Sequence, residues 1–472
     1  MVDRRRGARS AARTDGRKRG LRVAAWTVVA AAALAVGTSG VLAHAGGLSN
    51  AAPDRLSVPA WLFLFTGGGV VGASFLLASF VTDREFIEYV HNYARPVSLP
   101  RRALTWLGRL VGLGGLLLVV VSGFLGPRAP LESAAILVVW VGWWAGYAMT
   151  TYLVGNTWPA VDPFRTLTLP LGSGLRDYPA KLGAWPSVVF LLALVYVEVT
   201  SAVADEPRAL ATLVVAYVAV TAIGVGLFGS ATWFERVDPL ARIFRLYGAV
   251  APVRRTDDGY RVGLPGTGLR EDLLGDTSEV GFVVALVWAT TFDGLTSTPL
   301  WTDAADLVVP AGVPAHVFYA LVLVAGYAVF LGVFYAAAAF SRRTAPTYLT
   351  VDSIMMLFAP SLLAIAAAYH LAHYFTYFLG LSPLVVEAAV TPFSGGVANS
   401  LVVPGWLQAV PVVSVLLGHV VAIWVAHSIA FETFPSRIQA LRSQYAVTVV
   451  MILYTMTSLW IVTQPELPTP YV

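Results

Sequence analysis

Tyr369-His370-Leu371-Ala372-His373-Tyr374-Phe375 sets two imidazoles three residues apart inside a long apolar stretch. On a helix, residues i and i+3 share a face about one turn apart, so both rings can address one object. An ionisable group at the centre of a membrane helix costs roughly 2.5–3.5 kcal/mol, which marks such groups as functional by default. Three more sit in comparably apolar stretches: Glu198, Asp293 and His419. Carboxylate and imidazole together suit a divalent metal such as zinc, and imidazole alone suits copper. His370, His373, His419 and Asp293 are the expected metal ligands, with Glu198 behind them as an outer carboxylate or a base. Asp293 and Glu198 are also the expected catalytic carboxylates. A haem held by His370 or His373 with His419 is a further possibility. His419 and His427 are too close in sequence for two haems stacked across a bilayer. The plain alternative is a set of buried His–Asp pairs joining helices.

The surrounding chain must be a membrane protein. Of 472 residues, 57% are hydrophobic and only 12% are charged, against about 25% charged in a soluble domain. There is no cysteine, which excludes disulfides, thiolate metal sites, iron–sulfur clusters, cysteine nucleophiles and c-type haem attachment. The net charge of +4 comes from short loops and the N-terminal tail, so it reports topology and not nucleic-acid binding. The expected fold class is all-α, a polytopic transmembrane bundle whose first partner is the lipid bilayer. A small molecule or metal ion is the expected ligand.

Residues 1–22 are basic and residues 23–43 apolar and rich in alanine, the pattern of a signal peptide or an uncleaved first helix. Cleavage after Ala43 leaves His44 as a free N-terminus that could chelate copper. Residues 44–472 then form one integral membrane domain. A span needs about 20 apolar residues, and ten are expected: 58–81, 103–126, 133–155, 185–204, 209–230, 279–298, 315–340, 354–379, 407–430 and 444–463. With the tail cytoplasmic, the inner loops (82–102, 156–184, 231–278, 341–353, 431–443), together with the tail and Arg109, hold nearly all the Lys and Arg. The outer side holds only Arg55, Arg128 and Arg208. This asymmetry places the protein in the cell membrane with its C-terminus outside.

Depth follows from the span ends at 1.5 Å per residue. Glu198, Asp293 and His373 lie roughly 9 Å below the outer surface, His370 roughly 13 Å and His419 roughly 17 Å. The five therefore form one layer facing outward, with His44, Asp303, Asp306, His316 and Glu387 as possible mouth residues. No comparable group is expected deep in the inner leaflet. Glycines beside Asp293 and His419 (Gly294, Gly418) allow another helix or a ligand to approach closely.

Two inner loops begin alike, with Thr157-Trp158…Asp162-Pro163 and Thr232-Trp233…Asp238-Pro239, a weak internal repeat. Asp followed by Pro is a helix start, so both are expected to cap short interfacial helices without chemistry. Arg254 to Val262 reads as a small hairpin on an Asp-Gly turn within the cytoplasmic loop 231–278. No Gly-x-Ser-x-Gly elbow, His-Glu-x-x-His or P-loop is present.

Three blocks carry a resemblance. They are Thr291-Phe292-Asp293-Gly294-Leu295 with Pro299-Leu300-Trp301; Leu371-Ala372-His373-Tyr374-Phe375; and Gly418-His419-Val420-Val421-Ala422 with Ala426-His427 and Arg442-Ser443-Gln444-Tyr445. On these the chain resembles the multi-pass membrane proteins of bacteria and archaea labelled fenitrothion hydrolase. The likeness runs from about Pro59 to Gln464 and is sharpest over about residues 280–464. Asp162-Pro163-Phe164-Arg165 departs from that family's Asn-Pro-Trp-Arg-like turn. The resemblance implies a membrane-embedded hydrolase of organophosphate triesters and assigns no residue a role. The alternatives are a metal-ion or small-solute transporter and a b-type haem electron-transfer subunit. A transporter needs polar groups reachable from both faces, which the single outer layer does not supply.

Overall fold

The computed structural model describes residues 60–472 apart from 99, 257–258, 271–272, 395–398 and 466. The basic tail, the signal-like stretch 1–43 and His44 lie outside the described residues. In chain order the elements are α1 (Ala60–Ser79), α2 (Arg84–His91), β1 (Ala94–Val97), α3 (Arg101–Leu125), α4 (Ala134–Leu153), α5 (Trp158–Val161), α6 (Pro163–Leu167), α7 (Trp185–Thr200), α8 (Pro207–Phe228) and α9 (Pro239–Gly248). They continue with β2 (Val253–Thr256), β3 (Gly259–Gly263), α10 (Thr277–Thr296), α11 (Pro299–Val308), α12 (Ala315–Thr344), α13 (Val351–Val390), α14 (Val410–Thr433) and α15 (Arg437–Thr463).

The protein is an all-α polytopic bundle. Among the described residues, eight helices are long and apolar enough to cross a membrane. Two shorter apolar stretches, Gly68–Ser79 of α1 and Trp185–Thr200, occupy the other two expected spans. Burial separates the helices by role. α10 and α13 are the most enclosed, whereas α3 and α12 turn leucines and valines such as Leu110, Leu117, Leu321 and Val324 outward. An apolar side chain facing out is stable here because the surrounding solvent is hydrocarbon.

α13 organises the bundle and packs most extensively against α14. Gly418 makes that contact possible, since a Cβ there would lie 2.1 Å from the Ala368 Cβ. Small residues at such crossings let backbones approach where no hydrophobic effect drives helices together. α13 runs for 40 residues, about 60 Å at 1.5 Å per residue. It therefore continues past the expected end at 379 and stands clear of a hydrocarbon layer of about 30 Å.

α4 departs from a plain helix. Its central residues Leu137–Tyr147 form eleven residues of π-helix, a form usually limited to single turns and frequent at functional sites. The sequence Trp140-Val141-Gly142-Trp143-Trp144-Ala145-Gly146-Tyr147 explains the fit. A Cβ at Gly146 would lie 2.4 Å from the Phe378 ring, so glycine lets α13 press into this helix. Trp144 on the same stretch meets the His370 and Tyr374 rings of α13.

Both Asp-Pro motifs start helices as expected. Asp162 Oδ1 accepts the Arg165 amide at 3.0 Å and Asp238 Oδ1 accepts the Ala241 amide at 2.8 Å. The hairpin also forms, with β2 and β3 antiparallel and Gly259 at φ +139°. β1, from the loop 82–102, adds to its free edge to give the order β1-β3-β2. Four residues with a central proline carry no local strand signal; long-range pairing alone makes this strand.

The α9–α10 junction holds a buried ion network. Arg242, 1% exposed, donates from Nη1 to Glu279 Oε1 at 2.8 Å and from Nη2 to the Glu235 carbonyl. Arg245 reaches the same Glu279 oxygen at 3.2 Å, and the Gly275 amide donates to Glu279 Oε2 at 2.8 Å.

Candidate functional site

Three helices bring four of the expected site residues to one place. Glu198 stands near the end of α7, Asp293 near the end of α10, and His370 and His373 lie on one face of α13. All four line a single cavity of about 410 Å³, together with Tyr369 and Tyr374. Glu198 and Asp293 are within electrostatic reach of each other, and the Tyr374 hydroxyl is within reach of both. The agreement in depth between antiparallel spans thus corresponds to real proximity.

The remaining walls are apolar and aromatic. The π-helical part of α4 gives Trp140, Trp143, Trp144 and Tyr147, and α5 gives Trp158. Trp144 meets the His370 ring edge-on at 5.3 Å between centroids, and Tyr374 meets it at 4.7 Å. His370 Nδ1 is 2.9 Å from the Tyr152 hydroxyl, while its Nε2 has no hydrogen-bond partner among the described residues. His373 stacks on Tyr369 at 5.8 Å and meets Tyr374 edge-on at 4.9 Å. The imidazoles are therefore packed among rings, and the cavity also presents the two carboxyl groups.

His419 separates from this group. It lies on α14, is 2% exposed and does not line the cavity. Its Nδ1 bonds the Val415 carbonyl at 2.6 Å. A carbonyl only accepts, so Nδ1 carries the proton, and Nε2 is bonded to the Thr455 hydroxyl, which also lies 2.6 Å from the Met451 carbonyl. Both ring nitrogens are spent inside the protein, which ties α14 to α15. This differs from the expected ligand set of His370, His373, His419 and Asp293. Sequence depth ranks residues along the membrane normal and says nothing about rotation around each helix. Among the described residues, no three His, Asp or Glu side chains form a group that could hold a metal ion. The haem arrangement also needed a free His419 nitrogen.

The mouth residues are placed differently as well. Asp306 accepts the Tyr471 hydroxyl at 2.8 Å and the His316 carbonyl accepts the Tyr196 hydroxyl at 3.2 Å. None of Asp303, Asp306, His316 or Glu387 lines the cavity.

Sequence reasoning missed the opposite end of the cavity. Val161, Pro163, Phe164, Tyr217 and Leu240 line it there, and the two capping aspartates lie just behind. Asp162 and Asp238 are each 1% exposed, and the Tyr217 hydroxyl donates to Asp238 Oδ2 at 2.9 Å. Arg165 Nε is 3.8 Å from Asp162 Oδ2. Burial, reinforced by the Asp238 charge, pushes the Asp162 carboxyl up to about 7. Burial also pushes Asp238 up to about 6, against the lowering effect of the Ala241 amide and the Tyr217 hydroxyl. The repeated motif was the available signal: two like caps in one repeat can meet.

A pH dependence follows. Carboxyls raised by folding bind more protons in the folded state, so their contribution to stability is full below the unfolded value of about 4 and is lost as pH rises to about 7. Stability in detergent, followed by the thermal midpoint, is expected to fall between pH 5 and pH 8 by an amount on the order of 1–3 kcal/mol. Asp162→Asn keeps a capping side chain and should flatten that slope; an unchanged slope removes Asp162 as its source.

Compared with protein-family models, with curated proteins and with solved structures, the chain finds no match in any of the three.

Proposed function

We propose that this membrane protein hydrolyses a small lipophilic ester, with the Glu198–Asp293 pair supplying the base. The observation that carries this reading is the joining of two carboxylates and two imidazoles at one end of an aromatic cavity of about 410 Å³. Cavities of a few hundred Å³ with mostly apolar walls and few polar groups are the usual form of small-molecule sites. An uncharged aromatic ester gains contact with the indole walls, and its reacting centre then stands by the carboxylates. Two neighbouring carboxyls repel each other's charge and are suited to holding one proton and one charge between them. The ionised member takes a proton from water as the water oxygen bonds to the ester centre. The bond to the leaving alcohol or phenol breaks, and the departing oxygen receives a proton from the pair.

The organophosphate triester class comes from the resemblance alone. Among the described residues no three of these donors form a group that could hold a metal ion, so no step is routed through a metal. Elemental analysis of the purified protein should find less than one metal ion per chain, and a chelator should leave turnover intact. Stoichiometric metal that is lost in His370→Ala or His373→Ala overturns the metal-free reading. The reading as a whole is tested with protein in lipid nanodiscs and a lipophilic nitrophenyl phosphotriester. Release of nitrophenolate above empty nanodiscs is expected; its absence across a panel of phosphate and carboxylate esters rejects hydrolysis.

One observation favours a second reading, a proton-linked carrier. The Tyr217–Asp238 bond and Asp162 put carboxyls behind the far end of the same cavity, so polar groups serve both ends. Net uptake of an intact lipophilic solute into proteoliposomes, without product, supports that reading over hydrolysis.

A further inference from the structure

The cavity reaches the lipid-facing side of the bundle at α3. The strip Val111, Gly112, Gly115, Leu116 and Val119 lines it, and these positions share one face of a helix. Val119 at one end is buried, whereas Val111 at the other is 60% exposed. Val111 is the tenth residue beyond Arg101 in a helix of 25 residues, so this exposed wall lies within the apolar span and away from both helix ends. Two kinds of glycine stand beside it. A Cβ at Gly112 would lie 1.7 Å from the Val161 carbonyl oxygen, so this glycine seats α5 against α3. A Cβ at Gly115 would meet nothing within 4 Å. Gly115 therefore serves no packing contact, and the empty space beside it adjoins the exposed Val111 one turn away on the same face.

The size of the space restricts the occupant. Along α7 the lining runs from Leu191 to Glu198, and along α10 from Leu286 to Asp293, each a rise of about 10 Å. One leaflet of hydrocarbon is about 15 Å deep. A two-chain lipid is too long and too bulky for this space, whereas a compact aromatic molecule fits it.

We propose that the ligand is a small uncharged hydrophobe dissolved in the bilayer, and that it reaches the carboxylates sideways through a portal at Val111 and Gly115. This rests on the cavity being the site of action proposed above, yet it concerns access and not chemistry. A hydrocarbon-soluble molecule concentrates in the membrane, and an apolar side door lets it pass without crossing the polar ends of the bundle.

The test reads access directly. Protein in lipid vesicles is illuminated with 3-phenyl-3-trifluoromethyl-diazirine, and carbene insertion is mapped by mass spectrometry. In the wild type, Trp143, Trp144 and Leu194 inside the cavity should be labelled as well as the lipid-facing Leu321. Gly115→Trp should lower the interior labelling at least five-fold and leave Leu321 unchanged, and Leu117→Trp on the lipid face should alter neither. Val111→Trp, at a position already exposed, gives the same result should Gly115→Trp fail to fold. Interior labelling that survives both portal variants overturns the proposal. So does equal interior labelling by a sulfonated, membrane-impermeant analogue, which means access from water. Glu198→Gln should keep full labelling, so loss of hydrolysis and loss of access are told apart.

Discussion

Glu198→Gln or Asp293→Asn should lower turnover of a lipophilic ester by roughly 10²–10⁴-fold, the usual contribution of a positioned general base. Each amide keeps the size of the carboxyl and loses its ability to take a proton from water. Binding rests on the indole and tyrosine walls that neither change touches, so kcat should fall while KM moves little. A variant that loses kcat identifies the member that works as base; one that loses less acts on its neighbour's charge. Both variants should keep a thermal midpoint close to the wild type, since each replaces a carboxyl with an amide of nearly the same shape. Full turnover in both variants rejects the carboxylate mechanism. His419→Ala is the contrasting case. It removes the bonds to Val415 and Thr455, so it should weaken the α14–α15 contact and leave the chemistry of the surviving folded protein unchanged.

Glu279→Ala is expected to give the largest loss of stability, about 3–5 kcal/mol. Arg242 is 1% exposed, and Glu279 is its only carboxylate within salt-bridge distance among the described residues. Removing the carboxylate strands a guanidinium where water cannot reach it, and also frees the Gly275 amide and one bond of Arg245. The asymmetry between breaking and replacing a pair gives the control. Arg242→Met with Glu279→Leu removes both charges and should recover much of the loss, because an apolar pair of similar volume does not need solvation. Thermal midpoints and monodispersity in detergent measure both variants. A midpoint for Glu279→Ala within two degrees of the wild type rules out the network as a main support of the α9–α10 junction.

Local patterns carried a good part of the architecture. Ten apolar stretches were enough to lay out the membrane bundle, because hydrocarbon forces every backbone polar group into a helix. The Asp-Pro caps at Asp162 and Asp238 and the hairpin after Val253 were legible because capping and tight turns act within four or five residues. The same locality explains the failures. β1 exists only through pairing with β3, far along the chain, and the π-helix of α4 goes with the Phe378 ring pressing against Gly146. The meeting of Asp162 and Asp238 across the repeat needs two helices to converge.

The site divides along the same line. By itself the sequence determined that Glu198, Asp293, His370 and His373 are costly groups at similar depth, since depth is counted along a helix of known rise. Only the tertiary structure decided which of the costly groups share a space. It turned His419 toward Val415 and Thr455, joined the other four in one aromatic cavity, and left the space beside Gly115 on that cavity unfilled. Rotation about a helix axis and the gap between helices depend on every packed neighbour, and no residue's own preferences encode them.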